Sequence, residues 1–192
     1  MGYHENGRNP MKKSVLSLLL GLCVLLSGCG GRAVKSRILD FSRDLREREQ
    51  LSFTADIRAE YPEKRSEFSL SYEADESGET MRVLEPELIR GIGAHLAPGS
   101  STLEYDGMIL DLGPLDPNGL SPLTALPLLV DTLKNGHLDS TWEEGGQPAA
   151  KLIRDDTLSV QVWFSPETMT PVRAELSSGD TVKLFCELSD WS

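Results

Sequence analysis

Strict alternation of apolar and polar residues from Leu51 to Tyr61 is the feature that most constrains the fold of this chain. Every odd-numbered position is Leu, Phe, Ala, Ile or Tyr, and every position between them is polar. Successive side chains of a strand point to opposite faces, so this period predicts a strand with one buried and one solvated face. The segment Phe68–Ala74 repeats the pattern. Two such strands in succession indicate an antiparallel sheet that is apolar on one side.

Turn residues divide the following segment into further strands. The pair Ser77-Gly78 precedes a strand at Met81–Leu84, and a shorter strand is expected near Ile89–Leu96. Asp106-Gly107 supplies the pair of residues with positive φ that a type I′ hairpin turn needs. In such a hairpin one face is shared by Leu103, Tyr105, Met108, Leu110 and Leu112.

Two further turns are expected near the end of the chain. Gly179-Asp180 predicts a hairpin between Val172–Ser178 and Thr181–Ser189. Asp155-Asp156 is expected to join a strand near Lys151–Arg154 to one at Leu158–Phe164, in which Trp163 faces away from its apolar neighbours and is a candidate for a surface contact.

Two segments have helical periodicity instead. In Ser36–Glu49, Ile38, Phe41 and Leu45 form one apolar stripe among charged residues. The second helix would begin with Ser121 as N-cap and Pro122 at its first position, and Gly136 would end it. Pro127 lies inside this segment and is expected to kink or split it.

These elements predict an α+β fold that is mainly β. The sheet would be curved and antiparallel, with about 9–11 strands in an open half-barrel, and one N-terminal helix and one broken helical segment would cover its apolar face. Two helical segments are few for a sheet of this size, which predicts a cavity for an apolar ligand or a surface for a partner. The candidate cavity residues are Phe53, Ile57, Leu70, Tyr72, Leu103, Tyr105, Leu110, Leu126, Val130, Val160, Val162 and Leu184.

The N-terminal segment has the organisation of an export signal. Met11-Lys12-Lys13 precedes an apolar run from Ser14 to Leu26, which is shorter than the roughly 20 residues that a membrane-spanning helix needs. We expect translation to begin at Met11, with residues 1–10 a mis-assigned start. The domains are therefore predicted as an export signal over 1–28, a lipidated tether over 29–35 and one folded domain over 36–192.

The signal ends in Leu26-Ser27-Gly28-Cys29, which resembles a bacterial lipobox. This resemblance implies that Cys29 carries a covalent diacylglyceryl group and tethers the chain to the extracytoplasmic face of the cell membrane. Of the other cysteines, Cys23 lies in the signal, so Cys186 has no partner for an internal disulfide. Cys186 shares the apolar face of its predicted strand and is expected in the core.

The charge of the chain argues against nucleic acid as a partner. The whole chain has a net charge of −11, and Arg8, Lys12, Lys13 and Glu5 give the predicted signal +2, so the remainder carries −13. Such a surface repels phosphate backbones. Basic residues are concentrated just after Cys29, where anionic lipid headgroups would attract them. Acidic residues are interspersed among them and weaken this attraction, so we interpret the segment as a solvated helix face.

The pattern as a whole resembles the LolA/LolB-like superfamily. The resemblance lies in the helix that leads into the long alternating strand and in the late Val162–Thr168, with Pro171-Val172-Arg173 after it. It implies a half-barrel whose helices close its mouth and which carries the acyl chains of lipoproteins or lipids.

Two further segments, Arg82–Ile89 and Leu120–Leu123, resemble lipoproteins of spore-forming Gram-positive bacteria. One lipoprotein of that group acts by binding a cell-wall amidase. We therefore expect an anchored module for lipid or another apolar ligand. The alternative is a protein-interaction lipoprotein that supports an exported cell-wall or sporulation enzyme.

No catalytic or metal-binding motif stands out. His95 and His137 have no second ligand at metal-binding spacing, and the sequence contains no nucleophile elbow and no phosphate-binding glycine loop. We therefore predict neither enzymatic activity nor a metal or other cofactor beyond the covalent lipid at Cys29.

Overall fold

The alternating segments form one antiparallel sheet of eleven strands in the computed structural model, which describes residues 30–60, 65–113, 120–178 and 181–192. The strands are β1 Leu51–Glu60, β2 Arg65–Asp75, β3 Gly78–Glu85, β4 Gly93–Ala97, β5 Ser100–Tyr105, β6 Met108–Asp111, β7 His137–Glu144, β8 Gln147–Ile153, β9 Leu158–Phe164, β10 Pro171–Ser178 and β11 Thr181–Ser189. The helices are α1 Gly30–Glu47 and α2 Pro122–Asn135, with a 3-10 turn at Glu87–Ile89. None of the helices in these ranges is both long and apolar enough to cross a bilayer.

The strand order shows that two runs of sequential antiparallel strands are joined into one open sheet. The order is β6-β5-β4-β3-β2-β1-β11-β10-β9-β8-β7, so the first and last strands are paired at the centre of the sheet. β6 and β7 are the two edges, and within the described residues they do not pair with each other. The chain passes from one edge to the other through α2. The predicted fold class, a mainly β open half-barrel with two helices, is confirmed.

One face of the sheet forms the core. The apolar residues of β1 from Leu51 to Ala59 are all buried, as the alternation predicted. They pack in one cluster with residues of both halves of the sheet and of both helices. Cys186 is fully buried in this cluster, also as predicted, and burial raises the pKa of its thiol to about 12.

Helix α1 begins at Gly30, six residues before the predicted start, so most of the predicted tether is helical. Val34 explains the difference. It lies one turn before Ile38 and packs against the core, which extends the apolar stripe towards the N-terminus. Two long-range hydrogen bonds fix the helix: Arg37 donates to the carbonyl of Pro166 at 2.6 Å, and Arg46 donates to the carbonyl of Lys134.

Helix α2 is continuous, so the predicted break at Pro127 is wrong. Pro127 lies in the second turn, where its missing N–H removes one hydrogen bond. The N-terminus is held by the capping box that Ser121 forms with Thr124, and the helix buries Leu129 and Leu133 completely. These contributions outweigh one lost bond of about 1 kcal/mol.

Gly136 ends α2 as predicted, but the reason for a glycine there is steric and not a positive φ. Its φ is −64°, which any residue adopts, yet a Cβ there would lie 2.5 Å from the carbonyl oxygen of Thr132. The Asp106-Gly107 turn has φ values of 50° and 76°, which confirms the predicted I′ geometry. The predicted Gly179-Asp180 turn lies outside the described residues, although the strands on either side pair as expected.

Two strand predictions differ from the structure. The strand expected near Ile89–Leu96 is shorter, because Glu87–Ile89 forms a 3-10 turn and Gly91 has a φ of 87°. Strand β7 was missed because His137–Glu144 contains few apolar residues and no clean alternation. It is an edge strand with a largely exposed surface, so it needs little apolar patterning.

Replacement of Phe53 by Ala should test the core directly. Phe53 is buried between the helices and the centre of the sheet, and its loss should lower the free energy of unfolding by about 3–5 kcal/mol. The matched control is Leu39→Ala, since Leu39 is an exposed residue of α1 and its truncation should cost less than about 0.5 kcal/mol. Urea denaturation monitored by circular dichroism measures both; equal effects would contradict this description of the core.

Candidate functional site

The candidate cavity residues separate into two groups. Nine of the twelve are buried in the core cluster, so protein side chains fill the apolar face at these positions. They are Phe53, Ile57, Leu70, Tyr72, Leu126, Val130, Val160, Val162 and Leu184. The other three, Leu103, Tyr105 and Leu110, lie in the β5–β6 hairpin at one end of the sheet.

An aromatic stack fills the middle of the covered region. Phe53 is stacked between Tyr72, with ring centroids 4.7 Å apart, and Trp191, at 4.4 Å. Phe41 of α1 meets the edge of Trp191 at 6.5 Å and of Phe164 at 5.5 Å. Aromatic pairs of this kind add about 0.5–1.5 kcal/mol each beyond their buried area, so the stack ties α1 to the centre of the sheet.

Tyr72 provides the polar end of this stack. Its hydroxyl donates a hydrogen bond to Oε1 of Glu79 at 2.8 Å. Burial, followed by the charge of Glu79, raises the pKa of the Tyr72 phenol above its usual range. The hydroxyl is therefore neutral and satisfied, which is the arrangement of a structural tyrosine.

The β5–β6 hairpin extends the apolar face beyond the helices. Leu103 pairs with Ala94 of the core on one side and with Leu110 on the other, and Tyr105 pairs with Met108. The fraction exposed is 42% for Tyr105, 68% for Met108 and 60% for Leu110. We call this surface the open apolar end and define it by Leu103, Tyr105, Met108, Leu110 and Leu112.

The position of the helices explains why this end is open. Helix α2 packs against β8, β9 and β10, and α1 packs against α2 and β7. Both helices therefore cover the half of the sheet that contains β7. Strand β6 is the opposite edge, and its four residues are all exposed, including Ile109 on the other face at 72%.

A second concave site lies on the face away from the helices. It is a cleft of about 760 Å³ at the centre of the sheet, and we call it the outer cleft. Of the candidate cavity residues, only Ile57 borders it. Most of its lining side chains are polar members of the alternating strands, for which the alternation predicts a solvated face. Its lining includes Asp56, Arg58, Glu67, Arg173, Glu175, Phe185 and Glu187.

Trp163 lies on this outer face, as its position in the strand predicted, but it is buried and not available for a surface contact. The guanidinium of Arg173 lies 3.7 Å above the centre of its ring, and Trp142 meets it edge-on at 6.0 Å. Its Nε1 donates to Oε2 of Glu144 at 2.8 Å. This bond, followed by that from Trp142, lowers the pKa of the Glu144 carboxyl.

No arrangement for catalysis stands out within the described ranges. No group of three His, Cys, Asp or Glu side chains there is placed to hold a metal ion. Asp75, Glu144 and Asp155 have lowered carboxyl pKa values, each mainly because of hydrogen bonds from neighbouring side chains. A general acid at neutral pH needs a raised pKa instead. His95 shares a hydrogen bond of 3.1 Å with Thr80, and His137 is exposed.

Comparison with known proteins finds similarity in structure only. No family model and no curated protein matches the sequence. One similar solved structure is a LolA superfamily protein, NE2245 from Nitrosomonas europaea, which is the group that the sequence resembles. It is 11% identical with a TM-score of 0.48, and the match covers 83% of this chain and 92% of that one.

Two other similar structures are of lipoproteins. LppX from Mycobacterium tuberculosis is 11% identical with a TM-score of 0.45, and 83% of this chain and 95% of that chain are covered. The structure of the CwlD amidase from Clostridioides difficile in complex with the GerS lipoprotein contains a chain that is 12% identical with a TM-score of 0.42. That match covers 78% of this chain and 88% of the other.

Proposed function

We propose that this chain is a membrane-anchored extracytoplasmic lipoprotein whose half-barrel binds acyl chains or a similar apolar ligand at the open apolar end. The observation that carries this proposal is the exposure of Tyr105, Met108 and Leu110 on the same face as the core. Contiguous exposed apolar surface of this kind marks binding sites in soluble domains.

The open apolar end suits a long, flexible ligand. Leu103 pairs with Ala94, and Ala94 pairs with Met81; both partners are buried in the core, so the open apolar end adjoins the packed core directly. Each methylene of an acyl chain that is buried there would contribute about 0.8 kcal/mol. The nine buried candidate residues would form the packed core that supports the conformation of this end.

The anchor would hold the domain at the membrane, where lipids are abundant. Cys29 immediately precedes Gly30, the first residue of α1, so a lipid on Cys29 would hold the domain against the bilayer with little intervening chain. A domain held there samples membrane lipids at high effective concentration.

Replacement of Cys29 by Ala should abolish the anchor. We expect the variant to lose incorporation of labelled palmitate and to leave the membrane fraction, because no acyl chain remains to hold it. The matched control is Cys186→Ala, which removes a buried thiol and should keep both label and membrane association. Palmitate incorporation that persists in the Cys29 variant would contradict the anchor.

Native mass spectrometry of the chain from Gly30 onward should test the ligand site. The unmodified domain should retain an added mass of several hundred daltons that dissociates as lipid on denaturation. Leu110→Glu should lose this mass, because it places a charge in the apolar surface. Ile109→Glu is the matched control, since Ile109 is an exposed neighbour on the opposite face. Retention by the Leu110 variant would contradict the proposed site.

A protein partner is the second candidate, and Ile109 is the observation that favours it. An apolar ligand on the core side of the sheet does not explain the exposed Ile109 on the other side of edge strand β6, whereas a partner that adds a strand to this edge does. The same spectra separate the two functions. A domain without bound lipid whose edge residue Ile109 is needed for partner binding would favour this second function.

A further inference from the structure

We infer that the outer cleft binds a small zwitterion, a short peptide or free amino acid that carries both an ammonium and a carboxylate group. This site lies on the opposite face from the open apolar end and does not depend on the acyl-binding function. Its volume of about 760 Å³ falls within the roughly 300–1,000 Å³ of small-molecule sites.

Three arginines line the cleft, and Arg65 is paired with Glu67 at 2.7 Å. The other two, Arg58 and Arg173, supply the anion-binding groups. The guanidinium of Arg58 lies 4.1 Å from the centre of the Phe185 ring, and that of Arg173 lies 3.7 Å from the centre of the Trp163 ring. Stacking on an aromatic ring holds a guanidinium in place, which lowers the entropy lost when a ligand binds.

Each of these arginines has a hydrogen-bond donor without an acceptor. Among the described residues, Nε of Arg58 and Nε of Arg173 are buried and donate no hydrogen bond. Each arginine also forms one ion pair: Nε of Arg58 lies 3.4 Å from Oε1 of Glu60, and Nη2 of Arg173 lies 3.9 Å from Oε1 of Glu144. The buried Nε atoms are out of reach of a ligand, but 38% of the Arg58 side chain and 42% of the Arg173 side chain remain exposed, so a carboxylate in the cleft can contact the accessible part of each cationic side chain.

Unpaired carboxylates in the same cleft supply the opposite charge. Asp56 of β1 and Glu187 of β11 are direct cross-strand partners, and like charges in that relation repel each other. In the described parts of the chain no basic side chain lies within 4.0 Å of either, or of Glu175. An ammonium group between Asp56 and Glu187 would relieve this repulsion.

The spacing of these groups selects a zwitterion over a simple ion. Asp56, Glu187 and Arg173 are consecutive across β1, β11 and β10, about 5 Å apart between neighbours. Phe185, two residues before Glu187 on β11, pairs with Arg58 of β1 on one side and with Glu175 of β10 on the other. These two residues provide a second arginine and a second acid next to the first set. An anion alone would face the unpaired acids, and a cation alone would face both arginines, whereas a ligand with both charges satisfies each set.

Titration of the full chain in detergent with L-alanyl-L-alanine tests this inference. Calorimetry should show saturable binding, and the fluorescence of Trp163 should change with it because Arg173 covers the ring. The N-acetylated and C-amidated dipeptides should each bind at least about tenfold more weakly, since each lacks one charge. Asp56→Asn and Arg58→Gln should each weaken the free dipeptide by a similar factor.

The controls keep the test independent of folding and of the apolar site. Glu73→Gln changes an exposed acid of the same sheet outside the cleft, and Leu110→Glu changes the open apolar end; both should bind the dipeptide normally. Circular dichroism verifies that the cleft variants are folded, and Glu187→Gln replaces Asp56→Asn if the latter is not. No saturable binding, equal binding of the capped dipeptides, or binding only of phosphoethanolamine would overturn the inference.

Discussion

The structure depends on one constraint: within the described residues, two helices must bury a single apolar face that spreads over eleven strands. Burial is worth about 25 cal/mol per Å² of apolar surface, which favours the packing of both helices against that face. Helix α2 packs over β8 to β10, and α1 packs against α2 and β7. Phe41 of α1 also contacts Trp191, which stacks on Phe53 of β1. Neither helix packs against the β5–β6 hairpin, so the apolar side chains of this hairpin remain exposed.

The two faces of the sheet therefore offer different chemistry to a ligand. The core face ends in uncovered Leu, Tyr and Met side chains, which suit an acyl chain. The outer face carries charged side chains that the strand pairing sets side by side, as with Asp56 and Glu187, and arginines that are held on aromatic rings. Because the sheet separates the two surfaces, a ligand on one would not compete with a ligand on the other.

Much of this fold is predictable from local sequence, and the errors have physical causes. Alternation fixes β1 and β2, and the Asp106-Gly107 turn fixes the β5–β6 hairpin, because these signals act within a few residues. The break at Pro127 was wrong because tertiary burial outweighs one lost hydrogen bond. The candidate cavity residues were placed on the core face, but which of them the helices cover depends on tertiary packing. The outer cleft was missed because Asp56 and Glu187 become neighbours only through the pairing of the first and last strands.

The central claim is that the apolar ligand occupies the uncovered end and not the space beneath the helices. A fatty acid with a photoreactive diazirine in its chain, activated on the purified domain and mapped by peptide mass spectrometry, tests this most directly. We predict crosslinks within residues 103–112. Crosslinks to Leu126, Val130 or Val160 would contradict the claim, because those side chains are buried in the packed core and become accessible only if the helices separate from the sheet.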